Sequence, residues 1–139
     1  MNAKFFLDTN IFVYSFEVSD PRSQIAEDLI RRGIESRNGI VSYQVVQEFF
    51  NVALRKFSQP LTAFARQEYF NIALRPLLAV HSSAALFVAA LQLTADHSFS
   101  WYDALIVAAA QEAKCSILYS EDLQHGRRIG NLRIENPFL

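Results

Sequence analysis

The chain has one cysteine and three histidines, which rules out two ways of holding a small fold together. A single thiol cannot close an internal disulfide. Cys115, set in an apolar helix-to-strand passage, reads as a reduced core thiol suited to the cytosol. No Cys/His spacing resembles a zinc site; His81 and His97 have no partner at ligand spacing, and His125 beside Gly126 reads as a loop residue. Excess charge of one sign is also missing. Thirteen Lys+Arg against fourteen Asp+Glu leave a net charge of −1, so the signature of a constitutive nucleic-acid binder is absent. A nucleic-acid substrate stays open, because acids gathered around a cation would leave the remaining surface more basic than the sum. Long apolar runs are lacking as well. Stretches such as Ala104 to Ala110 fall far below the ~20 residues that span a bilayer, and Asp8 interrupts the first apolar run before it could serve as a signal peptide. No composition shift, repeat or low-complexity tract marks a linker, so residues 1–139 are expected to be one cytoplasmic domain without membrane association.

What is present is a hydrophobic fraction of 51% with twelve Phe, enough for a substantial core. Short apolar runs alternate with helical segments, the pattern of βαβ units around a parallel sheet. Strands are expected at Lys4–Asp8, Gly39–Ser42, Pro76–Val80 and Ser116–Tyr119, with a short fifth at Leu132–Ile134. Helices are expected from just after Ser19-Asp20-Pro21 to about Arg37, and over Gln44–Phe57, Leu61–Leu74, Ser83–Thr94 and Trp101–Lys114. The last is apolar nearly all round and should be buried.

Within that frame the acids fall at telling places. Asp8 ends the run Phe5-Phe6-Leu7 and leads into Thr9-Asn10, and Asp122 follows Ile117-Leu118-Tyr119 in the segment Ser120-Glu121-Asp122. Glu48 and Asp103 each stand near the start of a helical, mostly apolar stretch. Strand ends and helix starts share one edge of a parallel sheet, where such folds place their ligands. Each acid also has a plain structural reading. Asp8 before Thr-Asn is good turn chemistry, and Glu48 sits on an ordinary polar stripe with Gln44, Asn51 and Arg55. Asp103 has capping-box spacing from Ser100, and the 120–122 segment could open a short helical turn that Gly126 closes. Four independent caps at matching topological positions are harder to credit than one shared site. Two carboxylates 4 Å apart repel by roughly 4 kcal/mol at an effective dielectric of 20, so converging acids call for a cation. An all-oxygen ligand set favours Mg²⁺ or Mn²⁺. Spacing alone leaves open whether Glu121 or Asp122 faces it.

The blocks Phe-Leu-Asp-Thr-Asn (6–10), Ser-Tyr-Gln-Val-Val-Gln-Glu-Phe (42–49), Trp-Tyr-Asp-Ala-Leu-Ile-Val-Ala-Ala-Ala (101–110) and Leu-Tyr-Ser-Glu-Asp-Leu (118–123) together resemble the PIN domain, in particular the VapC-type toxins of prokaryotic toxin–antitoxin pairs. The closing Gly130–Phe138 segment is similar to the tail of one PIN subgroup. The resemblance implies a PIN-like three-layer α/β/α sandwich with a central parallel sheet of four to five strands. It also implies a Mg²⁺- or Mn²⁺-dependent ribonuclease, with Asp8, Glu48, Asp103 and Asp122 as the metal-binding, catalytic acids. Asn10 and Ser120 match supporting polar positions. Glu121 fills a slot more often basic or neutral in the family. The implied partners are an RNA substrate, a small antitoxin and a second copy of the chain.

Arg55 on the Glu48 stripe is the favoured substrate-gripping cation, ahead of Lys56, Arg127 and Arg128. Asp96 has no assigned role and could compete with Asp103. Two other readings differ in class. One is a catalytically silent PIN module that binds RNA or a protein. The other, a haloacid-dehalogenase-type phosphatase, wants a second Asp two residues after the first, where this chain has Asn10.

Overall fold

Phe5–Leu7 is an apolar run with no polar face and takes the middle of the sheet as β1, buried throughout. In the computed structural model, which describes residues 3–55, 57 and 61–139, β1 is followed by α1 (Thr9–Ser15), α2 (Ser23–Ser36), β2 (Gly39–Ser42) and α3 (Tyr43–Ala53). Then come α4 (Ala63–Tyr69), a π-helical turn (Phe70–Leu74), β3 (Leu78–Val80), α5 (Ala84–His97) and α6 (Trp101–Glu112). The chain closes with β4 (Ile117–Tyr119), β5 (Arg128–Ile129) and β6 (Leu132–Glu135).

The strand order is β3-β2-β1-β4-β6-β5, parallel except for β5–β6. The four to five strands expected are thus six. The addition, β5, is a two-residue antiparallel edge folded back through Gly130, whose φ of 59° suits glycine. Two residues are too few to show a period. The chain leaves β1 toward β2 and β3, then crosses to the other side at β4, so the order reverses between β1 and β4.

Helices α1 and α2 pack on each other, as do α5 and α6. Ala104–Ala110 of α6 is buried residue by residue, as its all-round apolar character predicts. Helix α2 crosses β2 almost backbone on backbone. A Cβ on Gly39 would come within 2.6 Å of the Gly33 Cα, so larger residues there would force the layers apart. The phenylalanines are core packing for the most part: Phe12 and Phe49 are fully buried, and Phe16, Phe50, Phe57 and Phe70 pack against the core, whereas Phe64 is exposed. Among the described residues no helix is long and apolar enough to cross a membrane.

Several boundaries differ from the sequence expectation. The turn chemistry at Asp8 turns out to open a helix: Asp8 caps α1, its side chain accepting from the Thr9 N–H at 2.7 Å. Helix α3 ends at Ala53, so Arg55 and Phe57 lie beyond it. The segment expected to be helical over 61–74 starts only at Ala63, capped by Thr62, and its last turn widens into a π-turn as Ala73 and Leu74 are drawn into the core. Residues 120–126 form bends and a turn rather than a helical turn.

Candidate active site

The reversal of strand order opens a crevice beyond the carboxyl ends of β1 and β4. Their parallel register pairs Leu7 with Tyr119, and the next step along each strand sets Asp8 beside Ser120. The Asp8 N–H donates to the Tyr119 carbonyl (3.1 Å). The fully buried Ser120 donates its hydroxyl to Asp8 Oδ2 (2.8 Å) and accepts from the Asp122 N–H (3.2 Å). One serine therefore ties two acids from opposite ends of the sequence.

Glu48 arrives from the second turn of α3 because β2 runs into that helix without a loop. Its Oε1 accepts from the Thr9 hydroxyl at 2.7 Å and its Oε2 from Gln44 Nε2 at 3.4 Å. Asp103 stands in the first turn of α6, where its N–H donates to the capping Ser100 hydroxyl (3.3 Å). Asn10 donates to Asp122 Oδ2 at 3.0 Å. A single cleft of about 270 Å³ is lined by Asp8, Glu48, Asp103 and Asp122. Thr9, Asn10, Gln44, Asn51, Val52 and Tyr102 share its wall.

The electrostatics are those of carboxylates short of a counter-charge. Burial pushes the Asp8 carboxyl up to about 6, with Glu48 and Asp122 adding to the rise and the Ser120 and Thr9 donors opposing it. Asp122 is also raised, first by burial, then by Glu121, Asp103 and Glu48. As the side chains stand, no three such groups among the described residues are drawn tightly enough to chelate one ion; the Asp8, Glu48 and Asp122 carboxylates are each held by hydrogen bonds of their own. The donor set is nevertheless all oxygen, anionic and mutually repelling, and it fits a hard divalent cation.

Most of the expected site comes together. Asp8, Glu48, Asp103, Asp122 and Asn10 line the cleft, and Ser120 lies beneath it. Glu121 does not line it. Its carboxylate accepts twice from Arg22 Nη1, at 3.0 and 3.2 Å, while the Arg22 guanidinium stacks 3.8 Å over Tyr14 and also grips Asp20. Of the two adjacent acids, Asp122 is the one that faces the cleft. Arg55 is exposed and outside the cleft wall, because the helix carrying the stripe stops before it. Lys56 lies outside the described residues. Arg127 packs on His97 and Phe99, and Arg128 is exposed in β5. Asp96 is bonded to Gln92 along α5, away from Asp103.

The residues that sequence reasoning missed are Thr9, Tyr102 and Arg22; Gln44 and Asn51 were visible only as a polar stripe. The Arg22–Glu121 pair spans 99 residues, and no local spacing announces it.

The comparisons with known proteins agree with this fold. No curated protein matches the sequence. VapC20 of Mycobacterium tuberculosis, a sarcin–ricin loop cleaving toxin, superposes with a TM-score of 0.62 at 22% identity, over 86% of this chain and 90% of its own. VapBC2 of Rickettsia felis, solved bound to a DNA fragment from their promoter, gives 0.61 at 21% identity, over 94% and 96%. FitAcB of Neisseria gonorrhoeae gives 0.60 at 16% identity, over 96% and 98%. At such identities these structures speak for the fold. The family is carried by the sequence match to the PIN domain over residues 5–129, which takes in all four cleft acids: the chain belongs to the PIN domain family.

Proposed function

We propose that this protein is a divalent-cation-dependent endoribonuclease, the VapC-type toxin of a toxin–antitoxin pair. The reading is carried by one observation: four carboxylates from four separate stretches of a PIN domain line a single cleft at the reversal of strand order. Asp8, Glu48, Asp103 and Asp122 are the residues that would hold Mg²⁺ or Mn²⁺. When bound, such an ion supplies Lewis acidity to the scissile phosphate and the attacking water.

The chain's own part is orientation and charge. Ser120 and the Thr9 N–H fix the two Asp8 oxygens, Thr9 and Gln44 fix those of Glu48, and Asn10 steadies Asp122. Water attacking phosphorus in line with a departing 3′-oxygen needs no ribose 2′-hydroxyl and leaves a 5′-phosphate and a 3′-hydroxyl. Arg55, just past α3 and outside the cleft wall, would meet only a flanking phosphate of a longer RNA.

VapC20's action on the sarcin–ricin loop makes structured RNA the first substrate class to test. The resemblance to VapC-type toxins supports a cytoplasmic protein, a small antitoxin and a homodimer. Incubation of end-labelled transfer and ribosomal RNA with Mg²⁺ or Mn²⁺ should give discrete cuts that EDTA abolishes. 2′,3′-cyclic phosphate ends would contradict the mechanism. Metal binding without cleavage of any RNA would favour a silent RNA- or protein-binding module.

A further inference from the structure

Besides its four acids, the cleft is lined by Gln44, Asn51, Val52 and Tyr102, and among the described residues no Lys or Arg contributes to the wall. An anionic polymer entering there meets no positive charge and is repelled by the acids. What the uncharged lining offers is amide groups, an aliphatic surface and an aromatic ring, the side-chain types that read and stack an unpaired base.

Two details sharpen this. Tyr102 is 64% exposed although it sits in the first turn of a helix buried from Ala104 to Ala110, so its ring is not spent on the core. Gln44 is the opposite, only 4% exposed. Its Nε2 donates to the Tyr102 carbonyl (3.2 Å) and to Glu48 (3.4 Å), yet its Oε1 has no partner at all. A buried acceptor left unpaired is costly unless something supplies the donor. Turning the amide over would set Oε1 against the Glu48 carboxylate and the Tyr102 carbonyl, so the free acceptor is fixed by its neighbours.

The geometry points to a nucleobase subsite on this wall, in which one unpaired base bearing an exocyclic amino group stacks on Tyr102 and donates to Gln44 Oε1, with Asn51 alongside. It rests on the ribonuclease reading and narrows it: the bond cut lies next to a splayed-out adenine, cytosine or guanine in a single-stranded segment. The base anchors RNA on the uncharged lining while its phosphate lies toward the acids.

The test uses single-stranded pentaribonucleotides carrying 2-aminopurine, which has the amino group, at each position in turn, titrated by fluorescence in Ca²⁺ and in EDTA. Binding should quench the probe strongly at one position. Tyr102→Ala should abolish that quenching and raise Kd about tenfold, the loss expected for one base–aromatic stack, whereas Tyr102→Phe should bind like wild type. An abasic site at the quenched position should cost at least as much as Tyr102→Ala. No RNA binding, binding without positional quenching, or equal affinity in Tyr102→Ala overturns the subsite. RNA cleaved by Tyr102→Ala with unchanged KM overturns the subsite and leaves the nuclease standing. Tyr102-dependent quenching with no cleavage in Mg²⁺ or Mn²⁺ keeps the subsite and overturns the nuclease.

Discussion

Replacing Asp8 by Asn is expected to make the metal-free protein more stable at neutral pH, and the gain follows from the cleft's electrostatics. Burial first, and the charges of Glu48 and Asp122 after it, raise the Asp8 carboxyl from 3.8 to about 6. A folded-state pKa above the unfolded one means that the native protein holds the proton more tightly. That contribution is complete below pH 3.8 and is lost as pH rises through 6. At ~1.4 kcal/mol per pH unit, ionised Asp8 costs the native state about 3 kcal/mol at pH 7, an upper value because the residue keeps some surface in the cleft. Asn retains an oxygen for the Thr9 N–H but turns an amino group toward Ser120, a loss of ~1 kcal/mol. The net gain of ~2 kcal/mol corresponds to roughly 6 °C in Tm for a chain of this length. Thermal unfolding by circular dichroism in EDTA should show Asp8→Asn melting about that much above wild type at pH 7.5, and level with or below it at pH 4. A variant less stable at pH 7.5, or a gain indifferent to pH, refutes the reasoning.

Other consequences can be measured separately. Thr9→Val removes the donor that aims Glu48 and should lower Mn²⁺ affinity and cleavage by about 10- to 100-fold, with little change in the unfolding midpoint. Glu121→Gln loosens only the Arg22 clamp and should keep cleavage within a few-fold of wild type, where Asp122→Asn abolishes it; equal losses would mean Glu121 belongs to the site. Phe49→Ala empties the centre of an aromatic cluster with Phe12, Phe16, Phe57 and Tyr69 and should cost about 3–5 kcal/mol in urea unfolding. Burial pushes the Cys115 thiol up to about 12, so the native protein should resist thiol reagents at pH 8 until denaturant is added.

The parallel sheet and the convergence of the acids were legible because each rests on a local pattern: apolar runs that end in Asp8 and just before Asp122, and helix starts that carry Glu48 and Asp103. The common edge then follows from topology. What was not legible depends on distance or on very short elements. Glu121 is withdrawn from the site by Arg22, which lies far away in sequence, and Arg55 is lost because α3 ends early at Ala53. Thr9 was masked by turn chemistry that serves equally well as a helix cap. Tyr102 was masked by the apolar helix around it, whose periodicity gives no sign that one ring faces solvent.

The central claim is that the four acids act as one metal-dependent centre on RNA, and cleavage of end-labelled structured RNA tests it most directly. Wild type with Mg²⁺ or Mn²⁺ is predicted to cut at discrete positions and leave 5′-phosphate ends, with activity lost in EDTA and in the more stable Asp8→Asn. Cleavage that persists in Asp8→Asn or in EDTA would contradict it.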